Sequence, residues 1–214
     1  MTNKTDYAIG GLIGFFAGMF VIPVLINLGQ SNPALKNYPV LMAAPWIGAI
    51  AIVFGVWLGK FLARFLPFFA QLGKFGAVGI LNTSIDFGVL NLFSLVTGAV
   101  AGIQIGGFNI PGQTLAITNS YLWNRYWVFR QSGQDRREQN LAKFLAVTII
   151  GLILNSVLVV IATTYMTPPF GLSGATWLIA AKVFITLFTL VWNFTGYKFF
   201  VFVGKSDTAA GNAV

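Results

Sequence analysis

The chain has 214 residues, and only 8% of its side chains are charged while 57% are hydrophobic, against about 25% charged in an ordinary soluble domain. That balance, with no Cys and no His, excludes a soluble enzyme, a disordered chain and a freely diffusing nucleic-acid binder. It also excludes a disulfide framework, a thiolate nucleophile, an imidazole base and an ordinary zinc site. The formal net charge of +8 is therefore read first as a signal of membrane topology.

A helix needs about 20 apolar residues to cross roughly 30 Å of hydrocarbon. Six runs qualify, at about 7–28, 40–64, 73–97, 107–129, 142–166 and 172–202. Turn-forming stretches separate them: Asn32-Pro33, Gly98 to Gly107, the polar run Arg130 to Asn140, and Pro168-Pro169. Open strands would leave backbone groups unpaired in lipid, and the alternation of a barrel strand is absent. The expected fold class is an all-α polytopic membrane protein with six transmembrane helices.

With the N-terminus inside, eleven basic residues fall on the cytoplasmic side: Lys4, Lys60, Arg64, Lys74, Arg125, Arg130, Arg136, Arg137, Lys143, Lys198 and Lys205. Lys36 falls on the other side and Lys182 within a span. Both termini are thus expected in the cytoplasm, with the chain in the inner, cytoplasmic membrane. The first run exceeds a signal-peptide core and is expected to be retained.

Residues 1–69 read as a two-helix transmembrane hairpin. Gly10, Gly14 and Gly18 recur every four residues, and Gly55 with Gly59 offers a matching small pair on the second span. Such stripes let backbones approach closely. Tight packing within the hairpin is the first reading, and a homodimer seam the second.

Residues 70–204 carry an internal repeat. Lys74-Phe-Gly-Ala-Val-Gly-Ile80 matches Lys143-Phe-Leu-Ala-Val-Thr-Ile149 at five of seven positions, and the offset of 69 carries Asp86 onto Asn155. Arg125-Tyr-Trp-Val-Phe129 matches Lys198-Phe-Phe-Val-Phe202 at an offset of 73. Segments 74–129 and 143–202 then form two copies of a two-helix unit. An even number of spans per copy makes them parallel repeats. Residues 205–214 read as a disordered cytoplasmic tail.

Asp86 lies about 18 Å along the helix from Lys74, and Lys182 about 24 Å from Lys198. Charges at such depth cost about 2.5–3.5 kcal/mol on insertion scales, so the two are expected to pair directly or through water. Asn82 lies one turn before Asp86. Ser120 and Asn124 on the fourth span, and Lys182 and Asn193 on the last, extend a polar seam at helical spacing. Such groups also serve simply to hold helices together. Near the cytoplasmic ends, Arg125, Lys198 and Lys74 suit a phosphate at headgroup depth, with Trp123 and Trp127 beside them to stack on a sugar. The aromatics are equally the expected interfacial belt. No phosphate-binding Gly-rich loop and no paired carboxylates are present. Neither a metal nor a cofactor is called for, and the chain is expected not to be an enzyme.

Lys74-Phe-x3-Gly79-Ile-Leu-Asn82-Thr83-x2-Asp86-Phe87, followed by Asn124-Arg125-Tyr126-Trp127-Val-Phe129 and Tyr197-Lys198-Phe199-Phe-Val-Phe202, resembles the GtrA-like family of small membrane proteins over about residues 70–204. The resemblance implies four spans and flipping of a polyprenyl-phosphate-linked sugar across the cytoplasmic membrane for cell-envelope polysaccharide glycosylation. It implies as partners that lipid-linked sugar, membrane lipids and a membrane glycosyltransferase. It marks Asn82, Asp86, Asn124 and Arg125 as family-like polar positions, with Lys198 the basic position of the second repeat. The chain departs from the family pattern in its extra N-terminal helix pair and in Tyr197, which stands where the first repeat has Asn124. Two other functions remain open: a non-catalytic anchor for a polyprenyl-phosphate glycosyltransferase, and a small proton- or cation-coupled exporter switched by Asp86.

Overall fold

A computed structural model describes residues 3–128 and 141–196, with side chains left aside at residues 3, 124–125, 141–145, 190 and 193–196. Six α-helices make up nearly all of it: α1 (Asn3–Leu28), α2 (Tyr38–Leu62), α3 (Phe68–Thr97), α4 (Ile103–Trp123), α5 (Leu141–Tyr165) and α6 (Gly174–Gly196). No strand occurs among the described residues. The protein is an all-α polytopic membrane protein.

Among the described residues, four helical segments are long and apolar enough to cross a bilayer: Lys4–Leu28, Tyr38–Leu62, Phe68–Thr97 and Ala146–Tyr165. In α6 the apolar stretch among the described residues is Gly174–Thr189. Helix α4 spends its sequence differently, with Asn109, Gln113 and Asn119 among its residues, and both Asn109 and Gln113 are buried. Those amides lower its apolarity and supply the interior contacts described below.

Local sequence sets the helix ends. Asn32 caps a short 3₁₀ turn by accepting the Ala34 N–H at 3.3 Å, and Pro39 opens α2 at a position where no N–H is needed. Gly98 closes α3 with φ +73°, a left-handed conformation that a side chain would strain. Its N–H returns to Ser94 O at 2.8 Å. Helix α4 runs on through a π-helical turn, Asn124–Val128.

Helix α3 is the hub, packed against α1, α2 and α4, while α5 packs against α4 and α6. One apolar core joins Ile13 and Ala17 of α1 with Ile52 and Val56 of α2 and Val78 and Leu81 of α3. A second joins Leu90, Ile105, Val159 and Leu178, one from each of α3 to α6. Large side chains such as Trp46, Ile50, Phe54 and Phe184 point outward, as lipid-facing residues do where acyl chains are as apolar as Leu.

The glycine stripe of α1 works as a close-approach surface, but its partners differ from those its spacing suggested. A Cβ at Gly14 would run into the backbone of Gly48, and one at Gly18 into the carbonyl of Ala44. Gly59 instead approaches α3, where an added Cβ would lie 2.7 Å from Phe69 O and 3.0 Å from Gly73 Cα. At Gly55 an added Cβ would meet nothing within 4 Å. Spacing alone reveals a stripe; register between two helices decides which residues meet it. Because α2 already covers Gly14 and Gly18, the homodimer reading loses the surface that prompted it.

The hairpin is pinned to α3 at both ends of α1. Near its start, Asp6 pairs with Lys74. Near its end, Asn27 Nδ2 donates to Asn91 Oδ1 at 2.7 Å, and Asn91 Nδ2 donates to Phe87 O at 2.9 Å. Asn27 and Asn91 are both buried.

Candidate functional site

Three polar features lie within the bundle. The deepest is built where α3 and α4 come closest, since a Cβ at Gly112 would stand 2.8 Å from Asp86 O. Lys182 of α6 reaches into this point. Its Nζ lies 2.9 Å from Asp86 Oδ2 and donates to Asp86 Oδ1 at 3.1 Å and Asn155 Oδ1 at 2.9 Å. Asn109 Oδ1 accepts from the same ammonium. Around this centre Asn109 Nδ2 donates to Asn155 Oδ1 and Ser156 Oγ, both at 3.0 Å. Asn155 Nδ2 donates to Thr189 Oγ1 at 3.0 Å.

The charges that the sequence placed at membrane depth thus meet directly. Lys182 has 0% exposure. An ammonium carries three hydrogens, and three residues supply acceptors for them. In this arrangement no Lys182 hydrogen is left for a sugar hydroxyl, and two amides share the stabilisation of a charge pair that lipid alone would not tolerate. Asn109 and Asn155 were absent from the candidate residues. The signal for both was in the repeat: the offset of 69 carries Asp86 onto Asn155, and the offset of 73 carries Asn109 onto Lys182.

The second feature joins the ends of α1, α2, α3 and α4. Asp6 Oδ2 lies 2.8 Å from Lys60 Nζ, and Asp6 Oδ1 lies 2.8 Å from Lys74 Nζ. Trp127 Nε1 also donates to Asp6 Oδ1, at 2.9 Å. The Lys60 ammonium sits 4.7 Å from the Tyr7 ring centre and that of Lys74 sits 5.6 Å from the Trp127 ring. Trp127 is only 3% exposed, so its indole packs inside the bundle rather than offering a face to a ligand. Lys74, a candidate phosphate partner, is already engaged by a carboxylate. The role of Asp6 was not legible, because its partners are 54, 68 and 121 residues away.

The third feature is a cavity of about 240 Å³ between α1, α3 and α4, walled chiefly by Phe16, Phe20, Leu81, Ile85, Asn119 and Trp123. Asn119 Nδ2 donates to Asn82 Oδ1 at 2.7 Å, which places the candidate Asn82 directly behind the cavity wall. Trp123 lies edge-on to Trp127, with centroids 5.9 Å apart. Ser120 is half-buried beside this wall. The side chains of Asn124, Arg125 and Asn193, together with Lys198 and the tail 205–214, lie outside the described residues. Among the described residues no cluster of three or more metal-ligating side chains occurs.

No solved structure matches the chain. Among curated proteins it is similar to one named Uncharacterized membrane protein YngA, from Bacillus subtilis (strain 168). The two are 32% identical over 132 residues, covering 61% of this chain and 78% of that protein. The family described as GtrA/DPMS, transmembrane domain, matches residues 74–202. That range contains the Asp86–Lys182 centre, the Asn82–Asn119 pair and the whole of the apparent repeat. The chain belongs to the GtrA/DPMS transmembrane-domain family, with a two-helix hairpin packed in front of the matching region.

Proposed function

We propose that the protein translocates a polyprenyl-phosphate-linked monosaccharide across the cytoplasmic membrane, for glycosylation of cell-envelope polysaccharide, and makes or breaks no covalent bond itself. Family membership supports this reading. The observation that carries it is the cluster around Asp6, where two ammonium groups and an indole N–H already hold an oxyanion at one end of the family domain. A lipid phosphate is an oxyanion held by the same kinds of donor. Lys74, Arg125 and Lys198 are the proposed phosphate partners, with the phosphate competing with Asp6 for Lys74. The sealed Asp86–Lys182 centre then acts by holding the four family helices in one arrangement.

The physical task is to carry a hydroxyl-rich headgroup past hydrocarbon, where each unpaired polar group costs several kcal/mol. Movement needs no energy source if the donor is consumed on the far side. Reconstitution of the pure protein with a polyprenyl-phosphate hexose confined to one leaflet tests this. Access from the other leaflet should rise over protein-free vesicles, and Arg125→Ala should reduce the rate at least tenfold. Flux equal to that of empty vesicles would remove the proposal.

A second reading, an anchor for a membrane glycosyltransferase, is favoured by the complete enclosure of Lys182, which suits a rigid scaffold. It predicts co-purification with a transferase and no flux in vesicles. An exporter gains no support, because Asp86 is held through both oxygens by a built-in cation.

A further inference from the structure

The cavity between α1, α3 and α4 contains a polar group in an apolar setting. Leu12 and Phe16 form its outer edge and are 50% and 46% exposed, on a helix long and apolar enough to span a membrane. The opening therefore faces acyl chains. Asn119 nevertheless lines it.

Among the described residues, the hydrogen bond from Asn119 Nδ2 to Asn82 Oδ1 is the one that either carboxamide makes. Asn119 Oδ1 and Asn82 Nδ2 therefore keep unused capacity, since a carboxamide offers two donors and an acceptor with two lone pairs. An acyl chain cannot use it, and leaving such groups dry is unfavourable. The occupant that fits must bring hydroxyl or similar groups down from the interface and remain attached to an apolar chain.

The cavity wall is connected through packed side chains to the Asp6 end of the bundle. Asn82 lies about 12 Å along α3 from Lys74. The Lys74 ammonium is 5.6 Å from the Trp127 ring, and Trp127 is 5.9 Å from Trp123. Trp123 and Asn119 are one helical turn apart on α4. A chain of contacts from cation to indole to indole to amide thus joins the end of the bundle to the cavity wall. It stops one turn short of Asp86, which belongs to the sealed centre.

We infer that this lateral cavity receives the sugar headgroup of a polyprenyl-phosphate lipid, hydrogen-bonded by Asn119 and Asn82, while the prenyl chain stays outside against Leu12 and Phe16. This rests on the translocation reading and gives the hairpin a role: α1 is one wall of the binding site.

The test uses the full chain in lipid nanodiscs and a polyprenyl-phosphate hexose with a diazirine in its first isoprene unit. Crosslinks should concentrate on Leu12 and Phe16, at least fivefold over the comparably exposed Ile153 of α5 and the more exposed Phe184 of α6. Unlabelled polyprenyl-phosphate hexose should displace them. Asn119→Leu, and Asn82→Leu separately, should abolish the preference; if either variant misfolds, the displacement series on the wild type decides. Even labelling of all lipid-facing helices overturns the inference, as does equal displacement by phosphatidylglycerol or by polyprenyl phosphate without a sugar. Flux without preferential labelling would discard this cavity and leave translocation standing. Labelling without flux would keep the binding site and discard translocation.

Discussion

Asp86 and Asn155 hold the same ammonium at the same distance: Lys182 Nζ lies 2.9 Å from an oxygen of each. The offset of 69 makes these residues equivalents in α3 and α5, and the offset of 73 makes Asn109 and Lys182 equivalents in α4 and α6. The deepest polar centre is thus two pairs of equivalent positions, with one charge of each sign added to a framework of amides. Because the ammonium sits evenly between the two halves, either half offers a place for the carboxylate.

Exchange of that carboxylate is the first prediction. Asp86→Asn alone leaves Lys182 buried without a counter-charge, and breaking a buried pair costs about 3–5 kcal/mol. Adding Asn155→Asp returns a carboxylate to a position 2.9 Å from the same Nζ. The double variant should regain stability to within about 1–2 kcal/mol of the wild type, since the pair is restored with altered amide partners. Unfolding followed by circular dichroism in mild detergent measures both. A double variant as unstable as Asp86→Asn would show that the two halves are not interchangeable.

Removing the cation is the second. Lys182→Met fills similar volume but strands the Asp86 carboxylate, again at about 3–5 kcal/mol. The triple change Lys182→Met, Asp86→Leu, Asn155→Leu deletes the charges and one amide together, and should be far less harmful than the single change. Melting temperatures of the two variants give the comparison. A single variant as stable as the wild type would mean that the Asp86 carboxylate, whose side chain keeps 11% exposure, finds water in place of the ammonium.

Much of this centre was legible, and the reason is physical. A charge at membrane depth is so costly that its partner has to be another feature of the same sequence, and only Asp86 and Lys182 qualified. Asn109 and Asn155 carried a weaker signal, since an Asn in a span is common glue, and the repeat offsets alone distinguish them. Asn119 carries the same weak signal, although it lies four residues before Trp123 on the same helix face. Asp6 carries no signal in the sequence, because its partners arrive from three other helices. Apolar length finds the six helices with starts one to five residues from those of the structure, and the end expected at 202 lies outside the described residues. The partners of the glycine stripe were not, because a stripe fixes one surface and leaves the register of the other open.

The Asp6 clamp gives the third prediction. Asp6→Asn keeps a hydrogen-bond acceptor for Trp127 Nε1 but leaves Lys60 and Lys74 facing each other without the carboxylate that joins them. Hydrogen bonds to a charged group contribute about 1.5–3 kcal/mol, and the loss should fall in that range. The hairpin should loosen from α3 at this end first, so hydrogen exchange should rise over residues 4–10 while residues 20–28, held by Asn27 and Asn91, stay protected. Uniform exchange along α1 would contradict a clamp local to Asp6.

Glycine positions on the hairpin provide the last prediction, because two of them should respond with opposite sign to the same added methyl group. At Gly14 the new Cβ would overlap the backbone of Gly48, and no side-chain rotation relieves a clash with backbone. The helices would have to separate, and overpacking of this kind costs about 1–3 kcal/mol or more. At Gly55 an added Cβ meets nothing within 4 Å, so helix propensity governs and Ala is favoured over Gly by about 0.5–1 kcal/mol. Gly14→Ala should therefore lower the melting temperature and Gly55→Ala should hold or raise it, measured side by side in the same detergent. The reverse order would place the close approach of α1 and α2 at Gly55 and Gly59, the pair suggested by spacing, and would contradict the Gly14–Gly48 contact.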